Sequence, residues 1–135
     1  MRQWEIQKSI YDELLGYYPL TSMVEDRIYD HVPQNTVYPY VSIGDDTSVA
    51  WDTDLDNGSE TTLTIHVWSR MRGRREVKEV MQQIYAALHK TDLSIVGAHT
   101  VFCHFDFSES LLDSDGITRH GVIRFRIIVD NRPES

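Results

Sequence analysis

The hydrophobic pattern changes period once, within residues 61–90, TTLTIHVWSRMRGRREVKEVMQQIYAALHK. Leu63, Ile65 and Val67 fall on one side of an alternating run, and Thr62, Thr64, His66 and Trp68 on the other. Period two with one apolar side predicts a strand with one buried face. Beyond a basic turn, Val77, Val80, Met81, Ile84, Tyr85 and Leu88 recur at helical spacing and form one apolar stripe. Lys78, Glu79, Gln82 and Gln83 fall outside that stripe. Strand face and helix stripe each need a cover, and packing one on the other supplies both. This pair is the predicted centre of the core.

The same reading extends along the chain. Ile6, Ile10, Tyr11, Leu14 and Leu15 predict a helix over 4–15, stopped by Gly16. A short helical turn over 19–24 and a short strand over 27–29 follow. His31 to Asn35 contains Pro33 and reads as a loop. Residues 38–45 predict a strand with Val41 and Ile43 on one face and Tyr40, Ser42 and Gly44 on the other; Pro39 suits a strand end or sheet edge. Residues 46–60, DTSVAWDTDLDNGSE, read as one long polar loop, and 91–99 as a second. Over 100–110, Val101, Cys103, Phe105 and Phe107 alternate with Phe102, His104, Asp106 and Ser108. After the turn signal Asp113-Ser114-Asp115-Gly116, the last strand over 120–129 sends Ile123, Phe125, Ile127 and Val129 inward. His120, Val122, Arg124, Arg126 and Ile128 face the other way, and 130–135 reads as a frayed polar tail. The order predicts a single α+β domain over 1–135: a mainly antiparallel sheet with two main helices packed on one face. The other sheet face mixes His66, Trp68, Phe102, His104, Arg124 and Ile128, a composition suited to a subunit interface.

Composition and charge narrow the function. At 135 residues, with 41% apolar and 25% charged residues, the chain fits one soluble globular domain. The single cysteine, Cys103, leaves no intrachain disulfide and fits a reducing compartment. No apolar run approaches the ~20 residues that span a bilayer. The opening MRQWEIQKSI lacks the apolar core of a secretory signal, so no membrane partner is expected. A net charge of −8 should repel nucleic acid, so any DNA contact must be local or a passage without adhesion.

Candidate chemistry is sparse. Asp52, Asp54 and Asp56 have the spacing of the first three EF-hand ligands, but Asn57 stands where glycine is needed and Leu63 where the bidentate acid belongs. His66, His104 and His120 share a predicted face without the paired spacing of a zinc site. Cys103 alternates with inward phenylalanines and reads as an inert core thiol. No set of acid, base and nucleophile converges, so no enzyme is expected, and no cofactor. Arg70, Arg72, Arg74 and Arg75 are conspicuous in so acidic a chain. They fit a phosphate contact with DNA, a contact with acids of a neighbouring subunit, or a solvated turn; the acidic balance favours the subunit contact.

Three blocks carry a resemblance: RIYDHVPQNTVYPYVSIGDD (27–46), LTIHVWSRMRGRREVKEVMQQIYAALH (63–89) and DGITRHGVIRFRIIV (115–129). They resemble the tail-completion, or tail-terminator, family of long-tailed phages, prophages and phage-like gene transfer agents. The resemblance implies a structural protein of the virion or phage-like particle, assembled in the bacterial cytoplasm. It implies a homo-oligomeric ring, expected to be a hexamer, on the head-proximal end of the tail tube. Such a ring ends tube polymerisation and meets the head–tail connector or stopper, and DNA passes through its lumen without sequence-specific binding. The family supplies no catalytic residues. Joined to the residue reading, it makes Arg70, Arg72, Arg74, Arg75, His66, Trp68, His104, Arg124 and Arg126 candidates for the subunit interface. Asp46, Trp51, Asp52, Asp54 and Asp56 become candidates for contact with tube or connector. A head–tail connector or stopper is the alternative; a small metal-dependent enzyme and a nucleic-acid-binding module stand behind it.

Overall fold

A computed structural model of the chain describes residues 2–50 and 58–130. Helices α1 (Gln3–Leu15) and α2 (Tyr18–Val24) lead to a two-residue strand, β1 (Ile28–Tyr29). Strands β2 (Tyr40–Ala50) and β3 (Gly58–Ser69) precede helix α3 (Arg75–Leu88), and strands β4 (His99–Leu112) and β5 (Arg119–Asp130) close the order. The strands form one five-stranded sheet in the order β1-β2-β3-β5-β4. Only β1 and β2 are parallel; every other neighbour is antiparallel. The fold is the predicted α+β class.

Central β3 shows why. Its alternate residues Thr61, Leu63, Ile65, Val67 and Ser69 are all buried, and the residues between them are half-exposed. The stripe of α3 closes on that row: Val77, Val80, Ile84 and Leu88 are fully buried with Ile123, Phe125 and Ile127 of β5. Each such side chain contributes about 1.5–3 kcal/mol by leaving water. Ile6, Ile10 and Leu14 of α1 extend the same core over β2. Gly121 lets α3 approach β5 closely; a Cβ there would lie 2.5 Å from the Met81 sulfur and 3.0 Å from Val77.

Three expectations change. Residues 46–60 are not one loop: β2 runs on to Ala50 and β3 begins at Gly58, with pairs from Asp46↔Leu63 to Ala50↔Ser59. A polar ribbon is stable here because its main-chain groups are paired and its hydroxyls bond one another, Ser48 Oγ to Thr61 Oγ1 at 2.8 Å. Gln3 Nε2 donates to Ser48 Oγ from α1 at 3.2 Å. Second, Phe107 is not inward. A bulge between Phe105 and Phe107 inserts Asp106 and turns Phe107 to the outer face, where it is 37% exposed opposite Arg124. Third, Asp130 is no frayed tail residue but the buried end of β5, paired with Gly58; residues 131–135 lie outside the described residues. Residues 91–98 form the predicted loop up to the start of β4 at His99, and within it Leu93 and Ile95 tuck into the core.

Two substitutions test this packing. Phe125→Ala, at 0% exposure, should cost about 3–5 kcal/mol in denaturant unfolding, the usual range for a deleted core aromatic. Gly121→Ala should cost about 1–3 kcal/mol by overpacking against Met81, and the double variant with Met81→Ala should recover part of that loss.

Candidate assembly surface

The arginine turn is fixed at its base. Ser69, the last residue of β3, donates its hydroxyl to Glu76 Oε1 at 2.7 Å and accepts the Met71 amide at 3.2 Å. This ties strand end, turn and first turn of α3 together, and a carboxylate there also suits the helix dipole. Arg70 turns back onto the fold: its guanidinium lies 4.5 Å from the centre of the Tyr38 ring, and its Nε donates to Thr118 Oγ1 at 3.2 Å. Thr118 in turn donates its hydroxyl and its amide to Asp115, which also accepts the Ile117 amide. The Thr118 hydroxyl and these two amides hold the Asp115 carboxyl down to about 2. Arg75 bonds Glu79 one helical turn on, at 2.7 Å. Arg72 and Arg74 are exposed and make no ion pair among the described residues. The four arginines therefore divide: Arg70 and Arg75 are engaged, Arg72 and Arg74 are available. A cleft of about 320 Å³ beside the turn is lined by Arg70, Met71, Arg72, Leu112, Ile117 and Arg119.

The outer sheet face carries two different clusters. One is a stacked row across β2, β3 and β5. Tyr40 faces Trp68 at 6.2 Å, and Trp68 lies on His120 at 3.8 Å with only 9° between the rings. His66 Nδ1 and His120 Nε2 share a hydrogen bond of 2.7 Å. Trp68 Nε1 donates to Ser42 Oγ at 3.2 Å, and the Asp45 carboxylate stands 3.7 Å from His66 Nε2. Burial, then the neighbouring His66, lowers the His120 pKa. Burial and adjacent Tyr38 push the Tyr40 hydroxyl up to about 12. The other cluster is charged and lies towards the far end of β4. Arg124 bonds Asp106 at 3.0 Å and covers the Phe107 ring at 4.8 Å. Arg126 bonds Glu60 at 2.6 Å and lies over Phe102, whose ring meets His104 edge-on at 4.5 Å. Such half-exposed pairs contribute little stability, on the order of 0–1 kcal/mol, but they fix where the guanidinium groups point.

The structure thus gathers His66 and Trp68 into one cluster and His104, Arg124 and Arg126 into another. Asp46 sits in β2, half-buried opposite Leu63, and Trp51, Asp52, Asp54 and Asp56 lie outside the described residues. Tyr38, Tyr40 and His120 complete the stacked row. Alternation placed Tyr40 and His120 on outward faces; which strands lie side by side, and hence the stack itself, was not in the pattern. His120 sits diagonally from His66 because β5, not β4, lies beside β3. Among the described residues, no three histidine, cysteine or acidic side chains gather as metal ligands. Cys103 is fully buried, and burial pushes its thiol up to about 12, so it stays protonated and unreactive. Beneath the sheet, a trough of about 480 Å³ between α3 and β4 is lined by Lys78, Met81, Tyr85, Phe105, Ser108 and Ser110, among others.

The His66–His120 bond gives a pH dependence with a definite sign. A histidine whose pKa is lowered by folding takes its proton more readily when unfolded, so acid favours the unfolded state. Stability should be level above the ordinary histidine pKa of 6.5 and fall as pH drops through and below it. His120→Gln should flatten that slope in thermal melts; an unchanged slope would assign the acid sensitivity elsewhere.

Comparison with known proteins completes the description. Residues 8–130 match the family described as tail completion protein gp17. The chain is 30% identical over 126 residues to tail completion protein gp17 of Bacillus phage SPP1, covering 93% of this chain and 92% of that one. The structure of the bacteriophage SPP1 gp17 protein superposes with a TM-score of 0.64 at 28% identity, over 99% of each chain. A chain of the native gene transfer agent virion shares the fold with a TM-score of 0.85 at 24% identity, over 93% of this chain and 94% of that one. Matched along nearly its whole length, the chain belongs to the tail completion protein gp17 family and has a structural, tail-associated role.

Proposed function

We propose that this protein forms a ring, six-fold, on the head-proximal end of a phage-like tail tube. The ring ends tube polymerisation and joins the tail to the head connector, and DNA passes through its lumen. The observation that carries this reading is the family match over residues 8–130. Its partners are further copies of itself, the tail tube protein and the head–tail connector or stopper. It needs no catalytic group and no cofactor.

The surfaces support the reading. A closed ring needs two different patches on each subunit that fit one another. In a chain of net charge −8, Arg72 and Arg74 are cations without an ion pair among the described residues. They are the natural counterpart of acids on a neighbouring copy. The stacked row on the outer sheet face is rich in Trp and Tyr, the residues that anchor protein interfaces, and with the β2–β3 ribbon it is the surface offered to tube or connector. The acidic balance suits a channel that passes DNA without holding it.

Deleting the gene and imaging the particles tests the station along the tail. Free tails of irregular, excessive length beside tailless heads are expected; free tails of normal length beside filled heads would favour the connector or stopper role. Charge reversal of both free arginines, Arg72→Glu with Arg74→Glu, should abolish rings in native mass spectrometry while leaving the circular dichroism unchanged. Persisting rings would remove the arginine turn from the subunit contact.

A further inference from the structure

The two ends of the sheet differ, and they meet at one height. The row of paired residues Ile28, Val41, Val67, Gly121, Ser110 crosses the whole sheet, from the outer edge of β1 to the outer edge of β4.

At one end, β4 is half closed. The Lys90 amide donates to the Cys103 carbonyl at 2.7 Å, and the Phe105 amide donates to His89 Nδ1 at 3.0 Å. Cys103 and Phe105 thus point their main-chain groups off the sheet while their side chains face the helices. Past the bulge at Asp106, Ser108 and Ser110 share that phase: both line the trough under the sheet, and Ser110 pairs with inward-facing Gly121. Their main-chain groups therefore also point off the sheet, and among the described residues none is met by another main-chain group. Proteins usually guard such an edge with lysine, proline, a latch or a cover. Residues 107–112 have no lysine, proline, latch or cover; their one charged residue is the exposed Glu109, and Leu111 and Leu112 are exposed beside it. Lys78, Arg72 and Arg119 flank this edge without an ion pair among the described residues.

At the other end, the Arg27 carbonyl accepts the Val41 amide, so Arg27 and Tyr29 turn their main-chain groups to β2 and Ile28 and Asp30 turn theirs outward. The Ile28 side chain is buried and its amide donates to the Asp26 carbonyl at 2.8 Å, which leaves its carbonyl for a partner. This edge is flanked by three exposed acids: Glu25, which pairs with Arg27, Asp26, and Asp30, which accepts from Gln7 Nε2 at 2.7 Å. β1 runs with β2, and β4 runs against both β5 and, by alternation, β1.

We infer that the open edge of β4 receives the β1 edge of a second copy, antiparallel and at the same height, so that the sheet continues from subunit to subunit. The inference rests on the ring reading and assigns its seam. A copy carried sideways along the row brings its Ile28 opposite Ser110 and its Asp30 opposite Ser108. The Ser110 amide then donates to the partner's Ile28 carbonyl. Asp26 and Asp30 then come towards Lys78, Arg72 and Arg119, which outnumber Glu109 at the β4 edge. The trough beneath Ser108 and Ser110 falls where the next copy's α1–α2 layer lies, on the same face of the joined sheet. The two patches are different, as a closed ring requires.

Proline at an outward-pointing edge position leaves a monomer's ladder intact but cannot donate to an added strand. Ser110→Pro should therefore keep the circular dichroism and melting of the wild type, while its ring-forming affinity drops about tenfold or more through the lost bond and the ring's steric block. Independently, Ser108→Cys with Asp30→Cys should close disulfides between subunits under oxidation, giving a ladder that ends at the ring on non-reducing gels. Rings formed by folded Ser110→Pro protein, or no cross-link within wild-type-like rings, would overturn the shared edge and leave the ring reading standing. A wild-type protein that stays monomeric from dilute to concentrated solution, alone and with tail tube protein, would overturn both.

Discussion

Everything in this molecule hangs on the contact between the inner row of β3 and the stripe of α3. β3 lies between β2 and β5, so its buried residues are covered by α3 above and flanked by ladders on both sides. The contact is tight enough that Gly121 has no room for a methyl group. Because one sheet face is committed to this core, the other is left to solvent or to a partner, and among the described residues the candidate arginines, histidines and Trp68 lie on that face or in the arginine turn. The Ser69–Glu76 bond carries the constraint into the arginine turn. The turn is therefore not a slack connection but an extension of the core.

Much of this was legible in the residues, for a physical reason: where one face is buried, side-chain period reports burial directly. The strand at 63–67, the helix over 77–88 and the inward set Ile123, Phe125, Ile127 were visible on that basis. The pattern failed where something other than burial holds the chain. The ribbon of β2 and β3 beyond Gly44 is polar on its inner side, so nothing in its hydrophobicity marked it as paired. Phe107 was misplaced because one inserted residue, Asp106, inverts everything after it, and a bulge leaves no mark in composition. The site was legible in its parts but not in its joins. Alternation put Trp68 and His120 on outer faces; that their rings lie 3.8 Å apart depends on β5 returning beside β3, a fact of topology.

The charges show a division of labour. Arg124, Arg126 and Arg75 are held by Asp106, Glu60 and Glu79, and Arg70 by Tyr38 and Thr118. These groups shape the surface and have little left to offer a partner. Of the described cations without an ion pair, Arg72, Arg74, Lys78 and Arg119 lie around one corner, between the arginine turn, the start of α3 and the end of β4, while Lys90 stands apart past the other end of α3. In so acidic a protein, four such cations at one corner make an uneven charge distribution, which favours one relative orientation of identical molecules.

The ribbon of β2 and β3 carries one more consequence. Its inner row, Ser48 and Thr61, holds by hydroxyls and main-chain pairing rather than by burial of apolar side chains. On the β3 side that row is paired with buried Ile127 and Val129 of β5, so only the β2 half, over residues 46–50, stands clear of the apolar core. At one corner the sheet therefore extends past its hydrocarbon core on hydroxyl and main-chain pairing, and a contact made there would be read by polar groups rather than by apolar side chains.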